Sequence, residues 1–75
     1  MRDPHPLEHL TPQERAVYHV LAEHRGRVVG RAELARRAGI ADLSPRRCDS
    51  LIVGIRRRLG ADSVRTVRRR GWMLN

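Results

Sequence analysis

The chain of 75 residues contains no lysine, no phenylalanine and only one cysteine. A single cysteine, Cys48, excludes an internal disulfide and a zinc site made of cysteines, and we expect it to be a small buried residue. With Tyr18 and Trp72 as the only aromatic residues, the core has to be built from aliphatic side chains. No segment approaches the ~18 consecutive apolar residues of a membrane span, and Met1 to Leu10 lacks the apolar centre of a signal peptide. The sequence therefore predicts a cytoplasmic protein.

The length of the chain suits one small domain. A domain of this size buries only ~60–65% of the surface of its unfolded chain. It leaves no room for an enzymatic cleft with a supporting shell of its own. We therefore predict that the protein is not an enzyme and has no cofactor and no metal. The hydrophobic content of 40% is typical of a folded domain and argues against disorder.

All 16 basic residues are arginine, and they are concentrated in the last part of the chain. Residues 46–75 contain nine arginines against two aspartates, a balance of +7, whereas residues 1–45 contribute only +1. Arginine makes planar, bidentate contacts with phosphates and guanine edges. A basic run can also be a solvated face, but charge asymmetry within a chain favours nucleic acid as the partner, and hence association with the nucleoid. A compositional bias towards arginine explains the lack of lysine equally well.

The first helix has a clear start signal. Residues 1–9 contain two prolines and no periodicity, and we expect a flexible lead-in there. In the segment Thr11 to Glu14, threonine can cap a helix, proline suits the first helical position and glutamate completes a capping box. We predict that this helix ends at Gly26 and that Val28-Val29 forms a short strand pairing with another segment.

The next two helices also have boundary signals. The second is predicted from Gly30 to Gly39, and the third over about 45–59, with Ser44-Pro45 at its start and Gly60 at its end. At ~100° per residue, the third helix has an apolar face. That face contains Cys48, Leu51, Ile52, Ile55 and Leu59. The predicted opposite face contains Arg46, Ser50, Val53, Gly54 and Arg57, flanked by Arg47, Arg56 and Arg58.

The end of the chain predicts a β-hairpin. Val64 to Val67 and Trp72 to Leu74 are strand-like runs around Arg69-Arg70-Gly71, with glycine in the turn. Two helices joined by a tight turn and followed by a hairpin form a winged helix-turn-helix. The predicted fold is therefore α+β, mainly α, with three helices and a C-terminal wing, and the domain covers residues 10–75.

Four segments resemble the winged-helix effector domain of the OmpR/PhoB class of bacterial response regulators. They are L-T-P-Q-E-R (10–15), H-R-G-R-V-V-G-R-A-E-L (24–34), I-R-R-R-L-G (55–60) and V-R-T-V-R-R-R-G-W (64–72). The resemblance implies a regulator of transcription that binds specific double-stranded DNA, with the third helix in the major groove and the wing (64–74) at the minor groove. The resemblance implies DNA contacts by Arg46, Arg47, Ser50 and Arg57 in the helix, and by Thr66 and Arg68 in the wing. The position of Val53 and Arg58 on the helix and the charge of Arg69 and Arg70 in the wing turn add these four to the predicted DNA-binding residues. In the family, Trp72 corresponds to a residue that packs the hairpin onto the core.

The sequence also departs from the family pattern. Gly54 stands where the family usually has a polar or basic residue, and Leu51 where it often has histidine. The turn before the third helix, which contacts RNA polymerase in activating members, is shorter than usual. The small sheet that precedes the first helix in the family is missing, and so is a receiver domain with its phosphoacceptor aspartate. We favour a free-standing winged helix over a fragment of a longer protein, because Met1 is followed by a native-looking lead-in.

Other functions stay open at this point. A low-specificity architectural or phage-type accessory DNA-binding protein is one alternative, and a winged-helix protein-interaction module is another. Besides double-stranded DNA, candidate partners are RNA polymerase or another regulator. We expect a monomer in solution, because +8 repels like copies, and tandem binding of two copies on DNA. His5, His9, His19 and His24 lack a completing cysteine or carboxylate cluster and are interpreted as surface residues.

Overall fold

A computed structural model describes residues 6–74 of the chain. Its elements are a 3-10 helix (Pro6–His9), α1 (Pro12–Glu23), α2 (Arg31–Ala38), α3 (Pro45–Leu59), β1 (Arg65–Val67) and β2 (Gly71–Met73). The predicted α+β, mainly α architecture of three helices and a C-terminal hairpin is confirmed.

The segment before α1 differs from its prediction. Residues 1–5 of the predicted lead-in lie outside the described residues. The sequence pattern predicts no regular structure for Pro6–His9, but these residues form one 3-10 turn that lies against α3. Leu10, which follows directly, is buried in the core and holds this turn close to the helices.

The starts of α1 and α3 are capped as the sequence predicts. The Glu14 backbone N–H donates to Thr11 Oγ1 (3.2 Å), and the Thr11 N–H donates to Glu14 Oε1 (3.0 Å), which completes the capping box. At the start of α3, the Arg47 N–H donates to Ser44 Oγ (3.1 Å). These bonds satisfy backbone donors that the first turn of a helix leaves without partners.

The end of α1 comes earlier than the predicted Gly26. The helix ends at Glu23, and His24 caps it with its Nδ1 2.8 Å from the Val20 carbonyl oxygen. The Gly26 N–H donates to the Leu74 carbonyl (2.8 Å) instead of continuing the helical pattern. The chain therefore leaves α1 towards the hairpin before the glycine is reached.

The turn between α2 and α3 is held from both sides. Gly39 ends α2 in the left-handed conformation (φ 73°), and the Ile40 N–H donates to the Ala35 carbonyl (2.9 Å). The Arg31 Nη1 donates to the Leu43 carbonyl (2.8 Å). This fixed turn determines how α3 is presented next to α2.

The core is aliphatic, as the absence of phenylalanine predicts. Its buried residues come from all three helices, the loops between them and the hairpin. They are Leu10, Val17, Val20, Leu21, Val29, Leu34, Leu43, Cys48, Leu51, Ile52, Ile55, Val64 and Leu74. Within the described residues, no helix is long and apolar enough to cross a membrane.

The hairpin is tied to the core by a third backbone segment. In the antiparallel hairpin, Thr66 lies opposite Trp72. The Val29 N–H donates to the Trp72 carbonyl (2.8 Å), and the Trp72 N–H donates to the Val29 carbonyl (3.0 Å). The predicted pairing of the Val28-Val29 segment is thus confirmed. Trp72 is half-buried against the core, which confirms its packing role.

The turn of the hairpin comprises residues 68–70, one residue earlier than the predicted Arg69-Arg70-Gly71. Gly71 belongs to β2, and Arg69 is the turn residue with a positive φ (66°). Gly71 is needed for a different reason, since its φ is 147° and a Cβ there would lie 2.6 Å from the Val29 carbonyl carbon. A side chain at this position would push the hairpin away from Val29.

Candidate nucleic-acid interface

A line of exposed side chains runs along α3. Arg46, Ser50, Val53 and Arg57 are all exposed, and their spacing of four, three and four residues keeps them on one side of the helix. Val53 is 48% exposed and is the exposed large hydrophobic residue among those described. This line combines cationic, hydroxyl and apolar groups, which are the groups that contact base edges in a major groove.

Gly54 does not belong to this exposed line, contrary to the helical-wheel prediction. It is buried, because α1 packs against this position of α3. A Cβ at Gly54 would lie 2.8 Å from Glu14 Cδ and closer still to Glu14 Oε2. The glycine therefore accommodates a carboxylate of the protein.

Two of the implied DNA-binding arginines contact the start of α1. Arg58 Nη1 lies 3.5 Å from Glu14 Oε2 and donates to the Gly54 carbonyl (3.2 Å). The guanidinium of Arg47 donates to Gln13 Oε1. Both arginines remain exposed, so they lie between the exposed line of α3 and the start of α1.

Arg56 is the residue that the sequence-based reasoning missed. The helical wheel places it beside the exposed face, but the structure directs it to the hairpin, where it is half-buried. Its Nε donates to the Val64 carbonyl (3.0 Å), and its Nη2 donates to Thr66 Oγ1 (2.6 Å). No sequence signal distinguishes it from the two arginines that follow, because the distinction depends on where the hairpin folds back.

The wing has three consecutive arginines in its turn. Arg68, Arg69 and Arg70 are exposed, and the Arg70 N–H closes the turn on the Val67 carbonyl (2.9 Å). Thr66 is also exposed, although its hydroxyl already accepts a hydrogen bond from Arg56. The structure thus places the implied wing residues on one small hairpin that is joined directly to α3.

Few ion pairs neutralise the arginines of this surface. In the part of the chain that the structure describes, the ion pairs are Arg37–Glu33 and Arg58–Glu14. The hydrogen bond from Arg37 lowers the pKa of Glu33. The exposed arginines of the α3 line and the wing turn therefore have no carboxylate partner within residues 6–74. They are Arg46, Arg57, Arg68, Arg69 and Arg70.

Other chemically active residues lie elsewhere. Burial, with a contribution from Asp49, raises the pKa of the Cys48 thiol to about 11, so this residue is an inert part of the core. His9 and His19 are exposed, His24 is half-buried, and His5 lies outside the described residues. Among residues 6–74, no group of three or more metal-binding side chains occurs.

Comparison with known proteins identifies relatives of this architecture. Residues 6–74 match the family described as "Transcriptional regulatory protein, C terminal". The crystal structure of the DNA binding domain of CpxR from E. coli superimposes with a TM-score of 0.74 at 31% sequence identity. The similarity covers 88% of this chain and 72% of that one. No curated protein matches the sequence.

Proposed function

The chain belongs to the family of C-terminal domains of transcriptional regulatory proteins, and we propose that it binds specific sequences in double-stranded DNA. In this proposal, α3 enters the major groove and the wing reaches the neighbouring minor groove. The observation that supports it best is the exposed line of Arg46, Ser50, Val53 and Arg57 on the second helix of a helix-turn-helix. The DNA binding domain of CpxR, which has the same architecture, supports DNA as the partner.

The exposed line has the chemistry for direct readout. An arginine can bind guanine O6 and N7 in a bidentate manner, and a hydroxyl such as that of Ser50 can contact several bases. Val53 has no polar group, but an apolar side chain can pack against the methyl group of thymine. A helix of 15 residues is about 22 Å long, which suffices to span the ~12 Å width of the major groove.

The flanking residues fit contacts with the backbone of DNA. Arg47 is hydrogen-bonded to Gln13, and Arg58 to Glu14. Both arginines lie beside the exposed line of α3 and are assigned to phosphates. In the wing, Thr66 and the three turn arginines are assigned to phosphates and the minor groove. Phosphate contacts position a protein on DNA without reading its sequence.

A salt series tests whether the protein binds DNA electrostatically. If ~4–6 phosphates are neutralised, the logarithm of affinity should fall with the logarithm of salt concentration with a slope of roughly −4 to −5. Fluorescence anisotropy with a labelled duplex measures this slope. Absent or salt-independent binding would refute the proposal.

An architectural DNA-binding protein of low specificity is the second candidate function. One observation favours it: the only amide side chains of the sequence are Gln13 and Asn75, and Gln13 already accepts a hydrogen bond from Arg47. Amide side chains are the usual readers of adenine. Selection of bound duplexes from a random pool separates the two candidates, because only a sequence-specific regulator returns a consensus motif.

We also propose that the protein is a monomer in solution and binds tandem half-sites as two copies. The net charge of +8 repels like copies, and Val53 alone among the described large hydrophobic residues is exposed. Tandem sites about one helical turn apart would place two copies on the same side of DNA. Analytical ultracentrifugation with and without a two-site duplex tests this, and a stable dimer without DNA would overturn it. Contact with RNA polymerase or another regulator remains a further proposal.

A further inference from the structure

Three consecutive arginines of α3 point in three directions. Arg56 reaches the hairpin, and Arg58 lies against Glu14 of α1. Arg57 is exposed, and no hydrogen bond of its side chain occurs within the described residues. The same residue type thus lies in three different environments, and of the three arginines Arg56 is the one that is hydrogen-bonded to the hairpin.

The guanidinium of Arg56 joins α3 to β1. Its Nε and Nη2 donate to the Val64 carbonyl and to Thr66 Oγ1. In the described part of the chain, these are the two hydrogen bonds between α3 and the segment containing β1. Because the guanidinium is planar and presents its donors at fixed angles, holding two acceptors also fixes their direction relative to the helix.

The wing needs such a connection, because a two-stranded hairpin with three-residue strands has little stability of its own. The link to Val29 holds β2 to the core. Arg56 holds the opposite strand. The wing is thus anchored on both strands: β2 is bound to Val29 in the core, and the segment containing β1 is bound to Arg56 of α3.

We propose that Arg56 is a positioning residue that sets the wing relative to the α3 face and orients the hydroxyl of Thr66 towards a DNA phosphate. A threonine hydroxyl has one proton to donate and can accept from other groups. Since Arg56 donates to its oxygen, the proton of Thr66 points away from the guanidinium. Thr66 is exposed and its hydroxyl donates to no acceptor within residues 6–74, so this proton is available to an acceptor outside the protein, and the cationic donor polarises the hydroxyl. The contact with phosphate rests on the proposed function, whereas the setting of the wing does not.

The first part of the test requires no DNA. Amide hydrogen exchange of the wing is compared in Arg56→Lys and in the matched control Arg57→Lys. Lysine keeps the charge but lacks the planar pair of donors. We expect wing amides to exchange about tenfold faster in Arg56→Lys, the change that loss of a hydrogen bond to a charged group predicts, with α3 amides unchanged. Arg57→Lys should leave both unchanged. Unchanged wing exchange, or equal acceleration in α3 and the core, would overturn the positioning role.

The second part measures DNA binding of the same variants with Thr66→Val and Thr66→Ser. Arg56→Lys and Thr66→Val should each weaken binding about tenfold, and the double variant should be no weaker than the single ones. Thr66→Ser, which keeps the hydroxyl, should recover most of the affinity that Thr66→Val loses. Full affinity of Arg56→Lys would show that only its charge matters and would overturn the orientation of Thr66. If the unaltered protein does not bind DNA, the proposed function and the phosphate contact fail together, and hydrogen exchange still decides whether Arg56 sets the wing.

Discussion

The carboxylate of Glu14 occupies the space that a side chain at Gly54 would need. A Cβ at this position would lie 2.8 Å from Glu14 Cδ, and the Glu14 side chain is held by the Thr11 N–H and by Arg58. Glu14 is only 6% exposed, so its carboxylate cannot move aside without losing the capping box. This contact explains why α3 has a glycine in its interior despite the low helix propensity of glycine.

Replacement of Gly54 by alanine should destabilise the protein. Alanine gains ~1 kcal/mol of helix propensity. Displacing Glu14 removes the capping box, which costs ~1 kcal/mol, and also disturbs a nearly buried carboxylate and its contact with Arg58. We expect a net loss of about 1 kcal/mol in the free energy of unfolding, measured by urea denaturation.

The control for Gly54→Ala is the same substitution in a Glu14→Ala background. With the carboxylate removed, only the propensity remains, so the substitution should become stabilising by up to ~1 kcal/mol. A stabilising Gly54→Ala in the otherwise unaltered protein would show that Glu14 yields easily and that its packing does not select glycine.

Arg46 and Arg57 should contribute to specificity. Replacement of either by alanine should weaken binding to the selected site more than binding to random duplex, because a lost bidentate base contact costs ~1–3 kcal/mol of discrimination. Competition titrations measure both affinities. Arg36→Ala, which removes an exposed charge from α2, is the control and should affect the two duplexes alike. Equal losses for Arg57→Ala on both duplexes would reassign it to a phosphate.

Local signals predicted most helix boundaries correctly. Thr11-Pro12 and Ser44-Pro45 begin helices, and Gly39 and Gly60 end them, because caps depend on residues three or four positions apart. The end of α1 was predicted too late because the Gly26 N–H is taken by Leu74, which is distant in sequence. Boundaries decided by such long-range bonds leave no local trace.

The same distinction applies to the candidate site. Helical periodicity identifies the exposed line of Arg46, Ser50, Val53 and Arg57 because those residues share one side of a regular helix. It assigns Gly54 and Arg56 wrongly, since both positions are determined by neighbouring elements, the start of α1 and the hairpin. A helical wheel gives the side of the helix on which a side chain lies, but not which other element of the fold packs against that side.

Cys48 should make stability depend on pH in the alkaline range. Burial raises the pKa of its thiol from 9.0 to about 11, so the folded state retains a proton that the unfolded chain releases. Its contribution to stability is complete below pH 9 and is lost as pH rises towards 11. Urea denaturation across this range should show the decline, and Cys48→Ala should show a flatter one. Equal pH dependence in both proteins would contradict the assignment.

Arg69 should lower the stability of the protein but contribute to DNA binding. Its φ of 66° is unfavourable for a residue with a side chain, so Arg69→Gly should stabilise the protein by ~0.5–1 kcal/mol. The same substitution removes one cationic contact and should reduce the salt slope of DNA binding by about one. Arg68→Gly is the control, because Arg68 does not have a positive φ and should lose stability. Equal destabilisation by both substitutions would argue against strain at Arg69.

Arg68 should support affinity and a preference for flanking A·T pairs, while α3 reads the central bases. The minor groove offers only a degenerate pattern, and arginine inserted there responds to its width, which is narrowest in A·T tracts. Replacing Arg68 by alanine should therefore lower affinity and relax the flanks of the selected motif without altering its centre. The measurement is selection from a random pool with the variant and the unaltered protein. If the central bases change and the flanks do not, the wing is the reader of sequence, and the assignment of that role to α3 is wrong.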